Sequence, residues 1–158
     1  NKIYLFIVDF LSTTFFLGKL KGPKGTYASA FAFAVFLLIP KNIIFLFIYF
    51  IILTVFGLYT SHISEKYIYR KIDAQEITID EWCGYTLSVI YIVNINSFNY
   101  KPIIIYIMGF IIFRIFDILK PFPINSAQKF NGGIGIMADD IIAGIYTLII
   151  LNIISKIW

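Results

Sequence analysis

The stretch IIFLFIYFIILTVFGLY, residues 43–59, carries no charge, and its only polar side chains are Tyr49, Thr54 and Tyr59. A helix needs about 20 predominantly apolar residues to cross the hydrocarbon core of a bilayer, and no other run in the chain comes as near to that length. Pro40-Lys41-Asn42 separates it from a second apolar run at 27–39, punctuation that predicts a tight turn between two antiparallel helices. Further apolar runs follow at 83–95, 102–116 and 141–154, with a short turn expected around 96–101. Residues 4–17, interrupted by Asp9 and by Ser12–Thr14, suit a helix lying in the membrane interface. The shorter runs need their polar ends to reach the headgroups, which leaves room for buried bundle helices or shallow insertions. The expected fold is all-α: a compact helical bundle, a multi-segment integral membrane protein with about four to five apolar helices plus an N-terminal interfacial helix.

Composition points the same way. Hydrophobic residues make up 59% of the 158-residue chain and charged residues 14%, against about 45–50% and about 25% in soluble domains. So little polar surface suits a bilayer, although an AT-rich genome or an unusually greasy soluble bundle would produce a similar bias. The length predicts one domain spanning 1–158. Asp9 breaks the short apolar segment 3–8, so that segment reads as part of the mature protein rather than as a signal-peptide core. Cys83 is the only cysteine, which excludes an internal disulfide and a thiolate metal site. No basic run or aromatic-basic module supports nucleic-acid binding.

If all five runs cross, the N-terminal region, the stretch 60–80 and the region 117–140 share one side. All nine acidic residues fall there, with ten of the thirteen cations; only Lys41, Lys101 and Lys156 lie opposite. The cation bias makes the charge-rich side cytoplasmic. Acidic residues contribute little to that rule, so their clustering calls for a polar site at one membrane face.

Five carboxylates fall in three places: Asp80-Glu81, Asp117 and Asp139-Asp140. Each sits at the edge of an apolar run, where an unpaired buried charge is costly. An oxygen-only set suits Mg²⁺, a hard cation that often shares its coordination with substrate phosphate. Neighbouring acids on a helix point about 100° apart, so ligands would have to converge from separate segments. Capping is the alternative: Asp80 and Asp139 precede apolar runs and would serve as N-caps, with Glu81 and Asp140 favourable to the helix dipole. Arg114, Asp117 and Lys120 recur every three residues, which fits either a surface ion-pair stripe or a metal ligand flanked by two phosphate-gripping cations. Pro121 and Pro123 would end that helix and fix the lysine. The glycines of NGGIGIMADD (131–140) and Gly25-Thr26 would let backbone amides approach a phosphate at a helix start; a flexible turn and an N-capping Thr26 are the simpler readings. His62, the only histidine, receives no role, and Cys83 reads as a small packing residue.

Four segments, GPKGTYAS (22–29), DEWCG (80–84), FRIFDILKPFP (113–123) and GGIGIMADDIIAG (132–144), occur in an order that resembles the phosphatidylglycerophosphatase A family. Ala28 departs from it, standing where the family commonly has a second glycine. The resemblance implies an all-α fold and Mg²⁺-dependent hydrolysis of phosphatidylglycerophosphate to phosphatidylglycerol and phosphate. It implies a bacterial inner-membrane enzyme working at the cytoplasmic face. The expected site has Asp80, Glu81, Asp117, Asp139 and Asp140 on the metal, with Arg114, Lys120, Gly25 and Thr26 toward the substrate. Rival readings are a related phosphatase acting on another phosphomonoester, a CDP-alcohol phosphotransferase, whose long Asp/Gly/Arg signature is absent, and a non-enzymatic transporter.

Overall fold

The computed structural model describes residues 1–91 and 101–157, and every regular element among them is helical. α1 spans Lys2–Ser12, α2 Lys24–Leu38, α3 Ile43–Ile63, α4 Ile79–Val89, α5 Lys101–Leu119, α6 Ile124–Ala127 and α7 Gly133–Ile157. A 3₁₀ turn at Leu17–Lys19 follows α1, and α3 continues through a π-helical turn at Ser64–Tyr69. The turn expected around 96–101 falls outside the described residues except for Lys101, which opens α5.

The turn between α2 and α3 forms where Pro40-Lys41-Asn42 predicts it. Asn42 caps α3 by accepting from the backbone N–H groups of Ile44 and Phe45 at 2.9 and 3.1 Å, and the Lys41 ammonium donates to the carbonyls of Phe36 and Ile39 at the end of α2. Two orphaned groups at each of these helix ends are thereby satisfied.

α4 lies at the centre, packed against α2, α3, α5 and α7. Its small residues let neighbours approach closely. A Cβ on Gly84 would stand 2.6 Å from the Asp140 carbonyl oxygen, and one on Gly144 2.5 Å from the Gly84 carbonyl oxygen. The α4 and α7 backbones therefore touch. Asp80 and Glu81, one turn before Gly84, come to lie beside Asp140 as a result. Thr86 and Ser88 donate back to the Trp82 and Gly84 carbonyls at 2.8 and 2.9 Å, so the buried hydroxyls of this helix need no outside partner.

α3 and α7 run antiparallel: the first residue of α7, Gly133, packs against the Leu58 carbonyl near the end of α3. α3 with its π turn, and α7, are long and apolar enough to cross a membrane. α2 is shorter, and α5 carries Arg114 and Asp117 in its last two turns. Outward-facing rows of large apolar residues line α3 (Ile44, Phe47, Ile48, Ile51, Val55), α5 (Ile103, Ile107, Ile111, Ile115) and α7 (Ile145, Ile149, Ile153). Contiguous apolar surface on that scale is foreign to water-soluble monomers and consistent with a membrane protein.

Three expected boundaries move. The helix predicted over 4–17 stops at Ser12, because Thr14, Phe15 and Phe16 take left-handed conformations with φ of 49°, 58° and 67°. Thr13 makes this possible: its hydroxyl donates to the Asp9 carbonyl at 2.7 Å and accepts from the Phe16 N–H at 3.1 Å. Aromatic packing of Phe15 on Phe31 and Trp82 offsets more of the strain. The polar stretch 60–80 begins as helix, since α3 and its π turn reach Tyr69. The loop expected at 120–137 contains α6 and the first turn of α7.

Candidate active site

All five predicted carboxylates line one cleft of about 450 Å³, together with Arg114, Lys120 and Gly25. They arrive from three helices. Asp80 and Glu81 are in the first turn of α4, Asp117 in the last turn of α5, and Asp139 and Asp140 on the second turn of α7. Asp140 is seven residues past Gly133, about 10 Å along the axis at 1.5 Å per residue, so the cleft floor is recessed below the start of α7.

Asp80, Glu81 and Asp140 each present an oxygen, all within 4.8 Å of one another. Asp117 and Asp139 are engaged differently. The Arg114 guanidinium donates to Asp117 Oδ2 at 2.6 Å, and Lys120 Nζ to Asp139 Oδ2 at 2.5 Å. The stripe expected along α5 is therefore half realised: Arg114 pairs within its own helix, whereas Lys120 reaches across to α7. The prolines explain the second. α5 ends at Leu119, Lys120 turns into a left-handed conformation with φ 41°, and its N–H still closes on the Phe116 carbonyl. This C-terminal reversal before Pro121 directs the ammonium at Asp139.

Several polar atoms of this cluster are closed off from solvent without a hydrogen-bond partner: Asp80 Oδ1, Glu81 Oε2, Asp139 Oδ1, Asp140 Oδ2 and Arg114 Nε. Buried polar groups are ordinarily satisfied. Four orphan acceptors beside one orphan donor make a site that fits a hard divalent cation and an anion together. Burial, reinforced by the charge of Glu81, pushes the Asp80 carboxyl well above its ordinary range. Burial likewise lifts Glu81 to about 7. For Lys120 burial opposes the charge, but the Asp139 hydrogen bond and the charges of Asp139, Asp117 and Asp140 outweigh it and raise the ammonium above its usual value.

Gly25 leaves room for two side chains of the site. A Cβ there would lie 2.3 Å from Glu81 Oε1 and 2.8 Å from an Arg114 guanidinium nitrogen, so this part of α2 forms a wall against which both side chains rest. Thr26 does not line the cleft and does not cap α2; Pro23 occupies the cap position without a side-chain bond. Capping is also excluded for the acids. Thr78 precedes α4, with Asp80 already inside the helix, and Asp139 is the seventh residue of α7. Gly132, Gly133 and Gly135 stand away from the cleft. A Cβ on Gly135 would sit 1.9 Å from the Phe130 carbonyl oxygen and one on Gly133 2.2 Å from that of Leu58, so these two serve close backbone packing. Ala28 is fully buried in α2, and Cys83 is a buried packing residue against Thr54, as expected.

Lys24, Asp73, Gln75 and Gln128 also line the cleft and were not anticipated. Lys24 pairs with Glu76 at 2.8 Å, and Gln128 Nε2 donates to Asp73 Oδ2 at 2.5 Å. Lys24 lies inside the GPKGTYAS segment and could have been found there. Asp73 and Gln128 belong to no pattern, and only the tertiary fold brings them together.

Among the described residues, fold and site together define an all-helical protein with two bilayer-length helices and a carboxylate-rich cleft flanked by cations. The sequence profile of phosphatidylglycerophosphatase A matches residues 10–155, and the chain belongs to that family. It is 40% identical over 80 residues to the phosphatidylglycerophosphatase A of Haemophilus influenzae (50% of this chain, 45% of that one). It is 49% identical over 51 residues to that of Escherichia coli (32% of this chain, 30% of that one). A Bacteroides thetaiotaomicron protein named, provisionally, a phosphatidylinositol-3-phosphatase is 31% identical over 81 residues (51% of this chain, 48% of that one). The matches thus span half or less of the length of these curated relatives. No solved structure matches the chain significantly.

Proposed function

We propose that the protein is a magnesium-dependent phosphatase that hydrolyses phosphatidylglycerophosphate to phosphatidylglycerol and phosphate. We place it in the bacterial inner membrane with its cleft on the cytoplasmic face. The observation that carries this reading is the convergence of Asp80, Glu81 and Asp140, with unpartnered buried oxygens, beside Arg114 and Lys120. Family membership supplies the substrate. The apolar faces of α3, α5 and α7 support the membrane setting, in which α2, α4 and α5 would complete the four or five apolar segments.

Asp80, Glu81 and Asp140 would hold the metal, with Asp117 and Asp139 beside them. Bound there, magnesium supplies a Lewis acid for phosphoryl oxygens and lowers the pKa of a bound water. The chain's own residues do the rest. Arg114, with its Nε unpartnered, and Lys120 neutralise charge developing on the transferring phosphoryl group, a reaction in which positioning and electrostatics carry most of the catalysis. Asp117 and Asp139 hold those two cations in place. Gly25 keeps α2 close enough to confine Glu81 and Arg114. An aspartate acting as covalent nucleophile is the alternative to direct attack by water, and trapping a phosphoenzyme would separate them.

The test is phosphate release from phosphatidylglycerophosphate by purified, detergent-solubilised protein, in Mg²⁺ and then in EDTA. Release abolished by EDTA is expected. No release from folded protein would overturn the substrate assignment. The name of the Bacteroides relative favours one second reading, a phosphatase for another lipid phosphomonoester, which a substrate panel would expose. CMP dependence would instead mark a phosphotransferase.

A further inference from the structure

A second cleft, of about 540 Å³, opens beside the first and has the opposite charge; His62, Lys66, Arg70, Lys71 and Gly132 line it, with Glu65 as its one carboxylate. Glu65 Oε1 is already engaged, accepting from the Asp73 N–H at 3.1 Å. Lys66, Arg70 and Lys71 form no ion pair among the described residues. Gly132, at φ 69°, immediately precedes α7 and adds the positive end of that helix to the same wall. Tyr67, Ile72, Phe130 and Ile134, neighbours of these residues along the chain, are all exposed, Ile72 by 81%.

Position gives the pattern its meaning. The cleft lies where the two bilayer-length helices meet at one level, the end of α3 and the start of α7. Basic residues among exposed aromatic and aliphatic ones are the arrangement that settles at the headgroup layer of an anionic membrane. We propose that this cleft binds the phosphate of an anionic phospholipid headgroup, at a site separate from the carboxylate cleft where the substrate reacts. The two clefts share a wall. Glu65 holds the backbone of Asp73, whose carboxylate accepts from Gln128 inside the carboxylate cleft. A lipid held by Arg70 and Lys71 therefore steadies the connector 70–78 that forms one side of the reacting site.

The inference rests on the membrane setting and not on the phosphatase reading, so its test needs no turnover. The full chain in non-ionic detergent is titrated with short-chain phosphatidylglycerol, short-chain phosphatidylcholine and inorganic phosphate, and binding is read by calorimetry. Saturable binding of phosphatidylglycerol but not of phosphatidylcholine is expected, weakened about thirtyfold in Arg70→Gln/Lys71→Gln, where two surface cations are lost. The same titration on Asp140→Asn should be unchanged, which separates this cleft from the acidic one. Should the double variant melt early, Lys71→Gln alone, at an exposed position, carries the comparison with a smaller weakening. Equal affinity in the variants, equal affinity for phosphatidylcholine, or binding of inorganic phosphate without the lipid would each overturn the proposal.

Discussion

α3 and α7 are, among the described residues, the two helices of bilayer length, and as strings of letters they look alike. Their surroundings differ. Only 22% of the apolar window of α3 is buried inside the protein, against 50% of that of α7. α3 turns isoleucines and phenylalanines outward along most of its length and carries no carboxylate. α7 packs its second turn against α4, and there it holds Asp139 and Asp140, both buried. The difference teaches that hydropathy reports a helix's length and average solvent, not its neighbours. A carboxylate pair on the apolar helix that is enclosed by protein marks a site; one on the helix facing outward would mark a defect.

The sharpest way to break that comparison is Asp140→Asn. Asp140 is 2% exposed, with Oδ2 unpartnered, so the amide removes a buried charge and folding should be kept. Phosphate release should fall by about two to three orders of magnitude, the scale for losing one stabilising group at a reacting centre. Val55→Leu, on the outward face of α3 and 59% exposed, should change neither rate nor melting. Comparable losses in both variants would mean that α7 is only a second anchor.

Next in size is Gly25→Ala. The added methyl carbon would stand 2.3 Å from Glu81 Oε1 and within 2.9 Å of both terminal Arg114 nitrogens, so both groups must move by a good fraction of an ångström. A displacement of about 1 Å near the reacting atoms costs about a hundredfold. Activity should drop about 10- to 100-fold with little change in melting, because α2 keeps its helix. A variant that melts early but turns over normally per folded molecule would make Gly25 a packing residue.

Gly144→Ala tests the contact that makes α7 different from α3. Its Cβ would meet the Gly84 carbonyl oxygen at 2.5 Å, and backbone cannot swing aside as a side chain can. Overpacking of this kind costs about 1–3 kcal/mol, readable as a lower melting temperature in detergent, with activity falling as α4 and α7 separate. An unshifted melting curve would show that the two helices are held by other contacts.

The sequence made the helical class and the five carboxylates legible for physical reasons. Apolar runs of helix length admit few other folds, and acids at the edges of such runs are too costly to be incidental. Separation of ligands along the chain also made convergence from several segments a requirement, and α4, α5 and α7 supply it. Less legible was how the acids divide. Nothing in FRIFDILK says that Arg114 turns inward to Asp117 while Lys120 reaches another helix; that depends on the left-handed reversal at Lys120. The glycines stayed ambiguous for a related reason: GGIG fits a phosphate cradle or a plain turn, and Gly133 and Gly135 are consumed by contacts with Leu58 and Phe130, which are distant or unremarkable in the sequence. The early stop of α1 was hidden because it depends on the hydroxyl of Thr13 outcompeting the helix.

The smallest effect expected comes from Glu76, which lies on neither long helix. It pairs with Lys24, which lines the cleft, at 2.8 Å, and that hydrogen bond holds its carboxyl below the ordinary range. A depressed carboxyl contributes stability that is fully present above its unfolded pKa of about 4.3 and is lost as pH falls through the lower folded value. Both partners keep contact with solvent, so the pair contributes at most about 1 kcal/mol. Glu76→Gln should therefore lower the melting temperature slightly at pH 7, and the difference should shrink as pH falls below the unfolded value and the wild-type carboxyl takes up its proton. A larger loss would mean that the connector leading into α4, rather than the contact between α4 and α7, keeps the carboxylates of the two helices together.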